Sequence, residues 1–160
     1  MKLIFIFIFL FFLLFLFSCT EKNVLPSETP EGYKEVIHIP VQVVPSDISI
    51  NEENTEIYVL DFYDRLKIFD LETGYEKAML FDQKSVPGNK SSTWKEYSLT
   101  LDSENDTIIV MKNENYYDEF KVFVNPQFAI FSKNGEYIIV SNNGDKIVSV
   151  FYNPFYQTTN

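Results

Sequence analysis

The sequence predicts an all-β fold, built as an antiparallel meander of short strands. From residue 33 onward, apolar and polar residues alternate in short segments rich in Val, Ile, Tyr and Phe. Turn-forming Asn, Asp, Gly and Pro separate these segments, and no stretch after the leader keeps the 3.6-residue period of a helix. A pattern of strand, polar turn, strand, polar turn, strand occurs three times, at residues 47–70, 97–124 and 127–151.

The first element, residues 1–18, has the composition of a secretory signal peptide. One lysine precedes an unbroken apolar run at residues 3–17, which is shorter than the about 20 residues that a membrane-spanning helix needs. The run ends in Leu-Phe-Ser-Cys at residues 16–19, which resembles the lipobox of bacterial lipoproteins, although Phe17 stands where a small residue is usual. The resemblance implies that the thiol of Cys19 is lipidated, with an acyl chain such as palmitate. An ordinary cleaved signal and an uncleaved anchor are the alternatives.

The same resemblance implies a location in the bacterial cell envelope. Lipoproteins kept at the inner membrane carry an aspartate directly after the cysteine, and Thr20 stands there instead. We therefore expect a lipid anchor at the outer membrane or cell surface, with a periplasm-facing domain as the other orientation. Residues 19–32 contain prolines and charges without an apolar period, which predicts a flexible tether. A β domain at residues 33–153 and a C-terminal tail at 154–160 follow.

The strands are predicted from alternation and from the turns between them. Pro40 separates the first two, a polar loop at residues 82–93 divides the chain in the middle, and Asn-Gly within residues 142–145 predicts a type I′ hairpin. The predicted strands are residues 35–39, 41–44, 47–50, 56–61, 65–70, 76–81, 94–101, 107–111, 119–124, 127–131, 136–141 and 146–152.

The three repeats resemble the loose forms of β-propeller blades, the WD40, NHL and YVTN types. RLKIFDLETG at residues 65–74 is similar to the end of such a blade, and PSDISI at 45–50 is similar to an inner strand that follows a proline. The resemblance implies about three blade-like sheets. After Val124 the chain has no room for a fourth, outer strand, and three blades do not close a ring of 4 to 8. We expect an open or incomplete propeller, either alone or completed by association, with a two-sheet β-sandwich as the alternative.

Composition and residue types argue against nucleic-acid binding, nucleophilic catalysis and a zinc site. The net charge of −10 disfavours nucleic acid as a partner, because an acidic chain repels phosphates. His38 is the only histidine and Cys19 the only cysteine, so a nucleophile–base pair or a zinc site has few ligands available. We interpret His38 as a partly buried strand residue and the carboxylates at residues 102–106 as a solvated turn. The sequence predicts no enzyme, no cofactor and no metal.

Aromatic residues near strand ends and in loops are the candidate partner contacts, since Tyr and Trp are good anchors for binding. They are Trp94, Tyr116, Tyr117, Phe155 and Tyr156. Ordinary core packing is the alternative for each. We therefore expect a membrane-anchored lipoprotein whose β domain is a non-catalytic binding or interaction module for a protein or glycan. The alternative is a truncated remnant of a propeller enzyme, of the lactonase or glycan hydrolase type, without activity of its own.

Overall fold

A computed structural model describes residues 32–156 of the 160-residue chain. The predicted signal peptide, Cys19, all but the last residue of the predicted tether, and residues 157–160 lie outside this part. Within it there is no helix, and so none that could span a membrane. The strands are β1 (Glu35–Pro40), β2 (Pro45–Ile50), β3 (Glu56–Asp61), β4 (Leu66–Asp70), β5 (Glu76–Leu80), β6 (Thr93–Trp94), β7 (Tyr97–Asp102), β8 (Thr107–Lys112), β9 (Asn115–Lys121), β10 (Pro126–Phe131), β11 (Tyr137–Asn142) and β12 (Ile147–Tyr152).

The strands form three four-stranded antiparallel sheets, each built on one of the three predicted repeats. The first sheet has the order β2-β3-β4-β5, the second β6-β7-β8-β9, and the third β1-β12-β11-β10. This confirms the predicted all-β meander of three blade-like sheets, an incomplete propeller. The two-sheet sandwich is not the arrangement observed.

The third sheet combines the N-terminal strand of the described chain with its last three strands. β1 pairs antiparallel with β12, so that Ile37 lies opposite Val150 and Ile39 opposite Val148. Without β1, the apolar strand β12 would be an open edge, which is prone to pairing with other chains. The long-range pairing therefore both completes the sheet and protects it.

The third sheet lies between the other two and is buried on both faces. One face, including Phe131, Ile138 and Val140, packs against Ile108, Val110 and other residues of the second sheet. Successive residues of a strand point to opposite faces. Accordingly Ile130 and Ile139 pack on the other side, against Ile48, Val59 and their neighbours in the first sheet. The strands of the first and second sheets do not touch each other. The three sheets therefore form an open arc.

The polar loop at residues 82–92 covers part of the first sheet. Val86 is buried against Leu60 and Leu66, on the face of the first sheet that points away from the third. Asn89 then exchanges two backbone hydrogen bonds with Ile50, of 3.1 and 2.8 Å, before the chain enters the second sheet. The loop thus shields a face against which a further blade would pack in a closed ring.

Three strands were predicted wrongly. Residues 41–44 form a bend rather than a strand, with Gln42 at a φ of 60°. A turn with Lys95 at a φ of 52° splits the strand predicted at 94–101 into β6 and β7. β9 spans Asn115–Lys121, whereas the sequence predicted 119–124. In the first two cases a residue with positive φ turns the backbone, and β9 begins earlier because Asn115 and Tyr116 pair with β8.

The Asn-Gly hairpin between β11 and β12 is also different from the prediction. A type I′ turn needs positive φ at its two central residues, but here Lys146 has the positive φ, of 55°. The turn is held by the preceding loop instead, since the amide of Gly144 donates to the carbonyl of Val124. A Cβ on Gly144 would lie 2.7 Å from Cγ1 of Val124. Glycine is needed here for close approach.

Candidate functional site

The structure brings four of the five predicted contact residues together around Tyr97, at one end of the second sheet. They are Trp94, Tyr117, Phe155 and Tyr156. The fifth, Tyr116, lies opposite Met111 on the other face of the sheet. We call the four residues and Tyr97 the aromatic cluster.

Phe155 fills the centre of the aromatic cluster. Its ring stacks on Tyr97, with centroids 4.6 Å apart and an interplanar angle of 8°. It meets Tyr117 edge to face at 5.2 Å and 75°. Offset stacks and edge-to-face pairs are the favourable geometries of aromatic rings, worth about 0.5–1.5 kcal/mol beyond the area buried. Phe155 therefore contributes to internal packing, and Tyr117 is the more accessible member.

The C-terminal segment is held in this position by Asn153. Its backbone amide donates to the carbonyl of Glu136, and its Nδ2 donates to the carbonyl of Gly135 at 2.7 Å. Its Oδ1 accepts the amide of Phe155 at 3.1 Å. A side chain of the third sheet's final turn thus directs an aromatic ring onto the second sheet, which ties the two sheets together.

Trp94 is partly buried and packs tightly. Its ring centroid lies 6.2 Å from that of Phe131 in the third sheet and 6.3 Å from that of Tyr156. Gly135 lies directly against the indole, since a Cβ there would be 1.9 Å from Cε2 of Trp94. This side chain therefore has a structural role in the contact between the second and third sheets.

Two lysines give the aromatic cluster a positive rim. Nζ of Lys112 lies 5.1 Å from the ring centroid of Tyr97 and 5.3 Å from that of Tyr117, and Nζ of Lys95 lies 4.3 Å from that of Trp94. The Tyr97 hydroxyl raises the pKa of Lys112, so its ammonium stays charged. Lys112 is not among the contact residues predicted from the sequence. Only the strand register, which places it opposite Tyr97, reveals the contact.

Beside the aromatic cluster, the second sheet ends in an open edge at β9. The first and third sheets have a full fourth strand on their outer side, β5 and β1, whereas the fourth strand of the second sheet is the two-residue β6 on its inner side. Within residues 32–156, the backbone of β9 pairs with β8 alone. Tyr116 and Tyr117 project from β9 on opposite faces and are 62% and 47% exposed. The lack of room after Val124 was the sequence signal for this edge.

Other candidate residues do not assemble into a site. His38 is exposed on β1, with its ring 6.2 Å from that of Phe123, so the prediction that it is partly buried was wrong. The Asn105 side chain and backbone amide hydrogen-bond the Asp102 carboxylate and lower its pKa, as in a solvated turn. No three potential metal ligands cluster within residues 32–156. Cys19 lies outside the described residues.

Comparison with known proteins gives structural likeness only. No protein-family model matches the chain, and no curated protein sequence matches it. It is similar to BamB from Moraxella catarrhalis, with 10% identity over 66% of this chain and 30% of that one and a TM-score of 0.31. It is also similar to Hsv2 from Kluyvelomyces marxianus, with 14% identity over 74% of this chain and 38% of that one and a TM-score of 0.31. A third similar structure is that of the RRP9 WD40 repeats, with 10% identity over 81% of this chain and 44% of that one and a TM-score of 0.27. The chain thus spans less than half of each of these structures, and this likeness identifies neither a family nor an activity.

Proposed function

We propose that this protein is an exported bacterial lipoprotein, held at a membrane by an acyl group on Cys19, whose β domain is a non-catalytic interaction module. Its partner is a protein, and the contact is an extended segment that adds to β9 as a further strand of the second sheet. The observation that carries the proposal is the open edge of β9 with an exposed tyrosine on each face.

The backbone of β9 supplies the affinity in this mode of binding. A strand added at a sheet edge forms main-chain hydrogen bonds with the edge strand, and side-chain contacts on the two faces give selectivity. Here Tyr116 would contact one face of the added strand and Tyr117 the other. Exposed tyrosines are effective anchors, because a large apolar area is buried with little loss of side-chain freedom.

The charges on β9 limit which segments fit. Asp118 and Glu119 lie in the middle of the strand, and Lys121 ends it. Charged edge residues oppose pairing between two identical edges, so a second copy of β9 is a poor partner. A segment with a lysine or arginine opposite the two carboxylates is favoured by charge complementarity.

Selection of peptides against the full-length protein in detergent tests the binding mode. We expect selected peptides to be extended and basic, and to slow hydrogen exchange of β9 amides. Tyr116→Ala with Tyr117→Ala should weaken binding at least about tenfold, the scale of an interface anchor. The control Tyr63→Ala with Tyr75→Ala, at tyrosines 78% and 77% exposed elsewhere, should have no effect.

Three results would overturn this part of the proposal. They are peptides that bind with equal affinity to the β9 variant, protection of another strand, and a parallel screen in which oligosaccharides bind but no peptide does. A protein that is aggregated or partly unfolded when purified would instead favour the enzyme remnant that the sequence analysis left as an alternative.

The lipid anchor is tested separately in bacteria that express the full chain. Mass spectrometry should find an acylated Cys19 at the N-terminus of the mature protein, recovered with membranes. Cys19→Ser should abolish the acyl mass and release the protein from membranes. An intact, unmodified leader on the wild-type protein would refute the anchor.

A further inference from the structure

A cleft between the first and third sheets is not used by the proposed peptide contact at β9. It has a volume of about 430 Å³ and opens to solvent. Tyr137 and Tyr152 line it from the third sheet, Asp70, Leu71 and Glu72 line it from the first, and Val36 of β1 completes the apolar part. β9 belongs to the second sheet, which packs on the opposite face of the third.

The two tyrosines form an aromatic wall. They lie directly opposite each other on β11 and β12, with ring centroids 5.4 Å apart and a tilt of 33°. Burial, together with the neighbouring Glu136 carboxylate and Tyr152, raises the pKa of Tyr137 to about 12. The phenol of Tyr137 is therefore neutral near pH 7. The face of a neutral aromatic ring attracts a cation.

The opposite wall is negatively charged. The Asp70 carboxylate accepts hydrogen bonds from the hydroxyl of Thr73 at 2.8 Å and from its amide at 2.9 Å, both through Oδ1. These bonds lower the pKa of Asp70 and keep it ionised. Glu72 adds a second carboxylate. None of the described residues that line the cleft is a lysine or arginine, and nearby Lys77 already forms an ion pair with Glu56.

We propose that this cleft binds an organic ammonium group, with its cationic end between the tyrosine rings and the carboxylates of Asp70 and Glu72. An aromatic face attracts a cation within about 6 Å of its centroid, and more strongly where water is partly excluded. The two carboxylates also attract the cation, and the net negative charge of the lining repels anions. Val36 and Leu71 suit the methyl or methylene groups that such a ligand carries.

Calorimetry or NMR titration of the full-length protein tests this with defined probes. Choline represents a free quaternary ammonium, and Nα-acetyl-lysine amide represents a lysine side chain. The neutral isostere of choline, 3,3-dimethylbutanol, and N-acetylglucosamine are the uncharged comparisons. We expect at least one cation to bind at least about tenfold more tightly than the neutral probes, and the tighter cation identifies the source of the ammonium group.

Matched variants locate the binding. Tyr152→Ala and Asp70→Asn should each weaken cation binding at least about fivefold, whereas Tyr75→Ala, on an exposed tyrosine outside the lining, should leave it unchanged. Equal binding of choline and its neutral isostere, binding of the sugar alone, no binding of either cation, or binding insensitive to both cleft variants would each overturn the proposal. Peptide binding at β9 is measured independently, so failure of one proposal does not imply failure of the other.

Discussion

Replacing Gly135 by alanine should break the contact between the second and third sheets at a defined point. Gly135 lies in the turn between β10 and β11 with a φ of +79°. An added Cβ would be 1.9 Å from Cε2 and 2.1 Å from Nε1 of Trp94. Both atoms belong to a rigid ring, so the indole as a whole must move.

The expected cost has two parts. Alanine in the left-handed region costs about 1–2 kcal/mol relative to glycine. Displacing the indole from Phe131 and Tyr156 adds the cost of overpacking, about 1–3 kcal/mol. The total, about 2–5 kcal/mol, is a large fraction of the roughly 5–15 kcal/mol that holds a typical domain folded.

Urea unfolding measures this loss, and tryptophan emission reports its cause. Trp94 is the only tryptophan in the chain, so Gly135→Ala should shift the emission of the folded protein to longer wavelength and lower the unfolding midpoint. In a Trp94→Leu background the same glycine change should cost only the backbone part, about 1–2 kcal/mol. An equal cost in both backgrounds, or unchanged emission in the single variant, would refute the reasoning.

Three further predictions concern other parts of the fold. Burial opposes ionisation of Asp61, but the amides of Arg65 and Tyr63 and the Arg65 guanidinium, 2.7 Å away, outweigh it and lower the pKa. The stability this gives is present above the unfolded pKa of about 4 and is lost as pH falls through the lower folded value. Asp61→Asn should therefore cost about 1.5–3 kcal/mol at pH 7, and this cost should decrease as the pH falls below about 4, measured by urea unfolding. A cost that stays constant as the pH falls would contradict this. The ultraviolet titration difference between wild type and Tyr137→Phe should have its midpoint near pH 12, and a midpoint near the ordinary value of about 10 would argue against the buried environment. Val86→Ala should destabilise the protein by about 1–3 kcal/mol if the loop covers Leu60 and Leu66, whereas no change in urea midpoint would mean that the loop is not a cover.

The sequence predicted most of the strands and the three repeats, because side-chain alternation and turn residues are local signals. It failed where a residue with positive φ turns the backbone, at Gln42 and Lys95. It did not predict the order of the sheets in space, which depends on the pairing of β1 with β12, about a hundred positions away along the chain. A signal for that order was present: β11 and β12, YIIVSN and IVSVFY, are nearly continuous apolar runs, as expected of strands covered on both faces. β9, NYYDEFK, has the charges of an edge.

The candidate sites were less predictable, because they depend on register and on contacts between sheets. Aromatic residues could be named from the sequence, but whether Phe155 packs inward and Tyr116 outward is decided by the turn at Asn153 and the pairing of β8 with β9. The cleft requires Asp70 and Tyr152 to meet across two sheets. No local pattern contains that information.

The measurement that tests the architecture most directly is a methyl NOE map of isotope-labelled protein. The arc with the third sheet in the middle predicts NOEs from Ile48 or Ile50 to Ile130 or Ile139, and from Leu99 or Val110 to Ala129. It predicts none between Val59 and Val110. Strong NOEs between Val59 and Val110, with the contacts to the third sheet missing on either side, would contradict the fold on which the β9 edge and the ammonium cleft both depend.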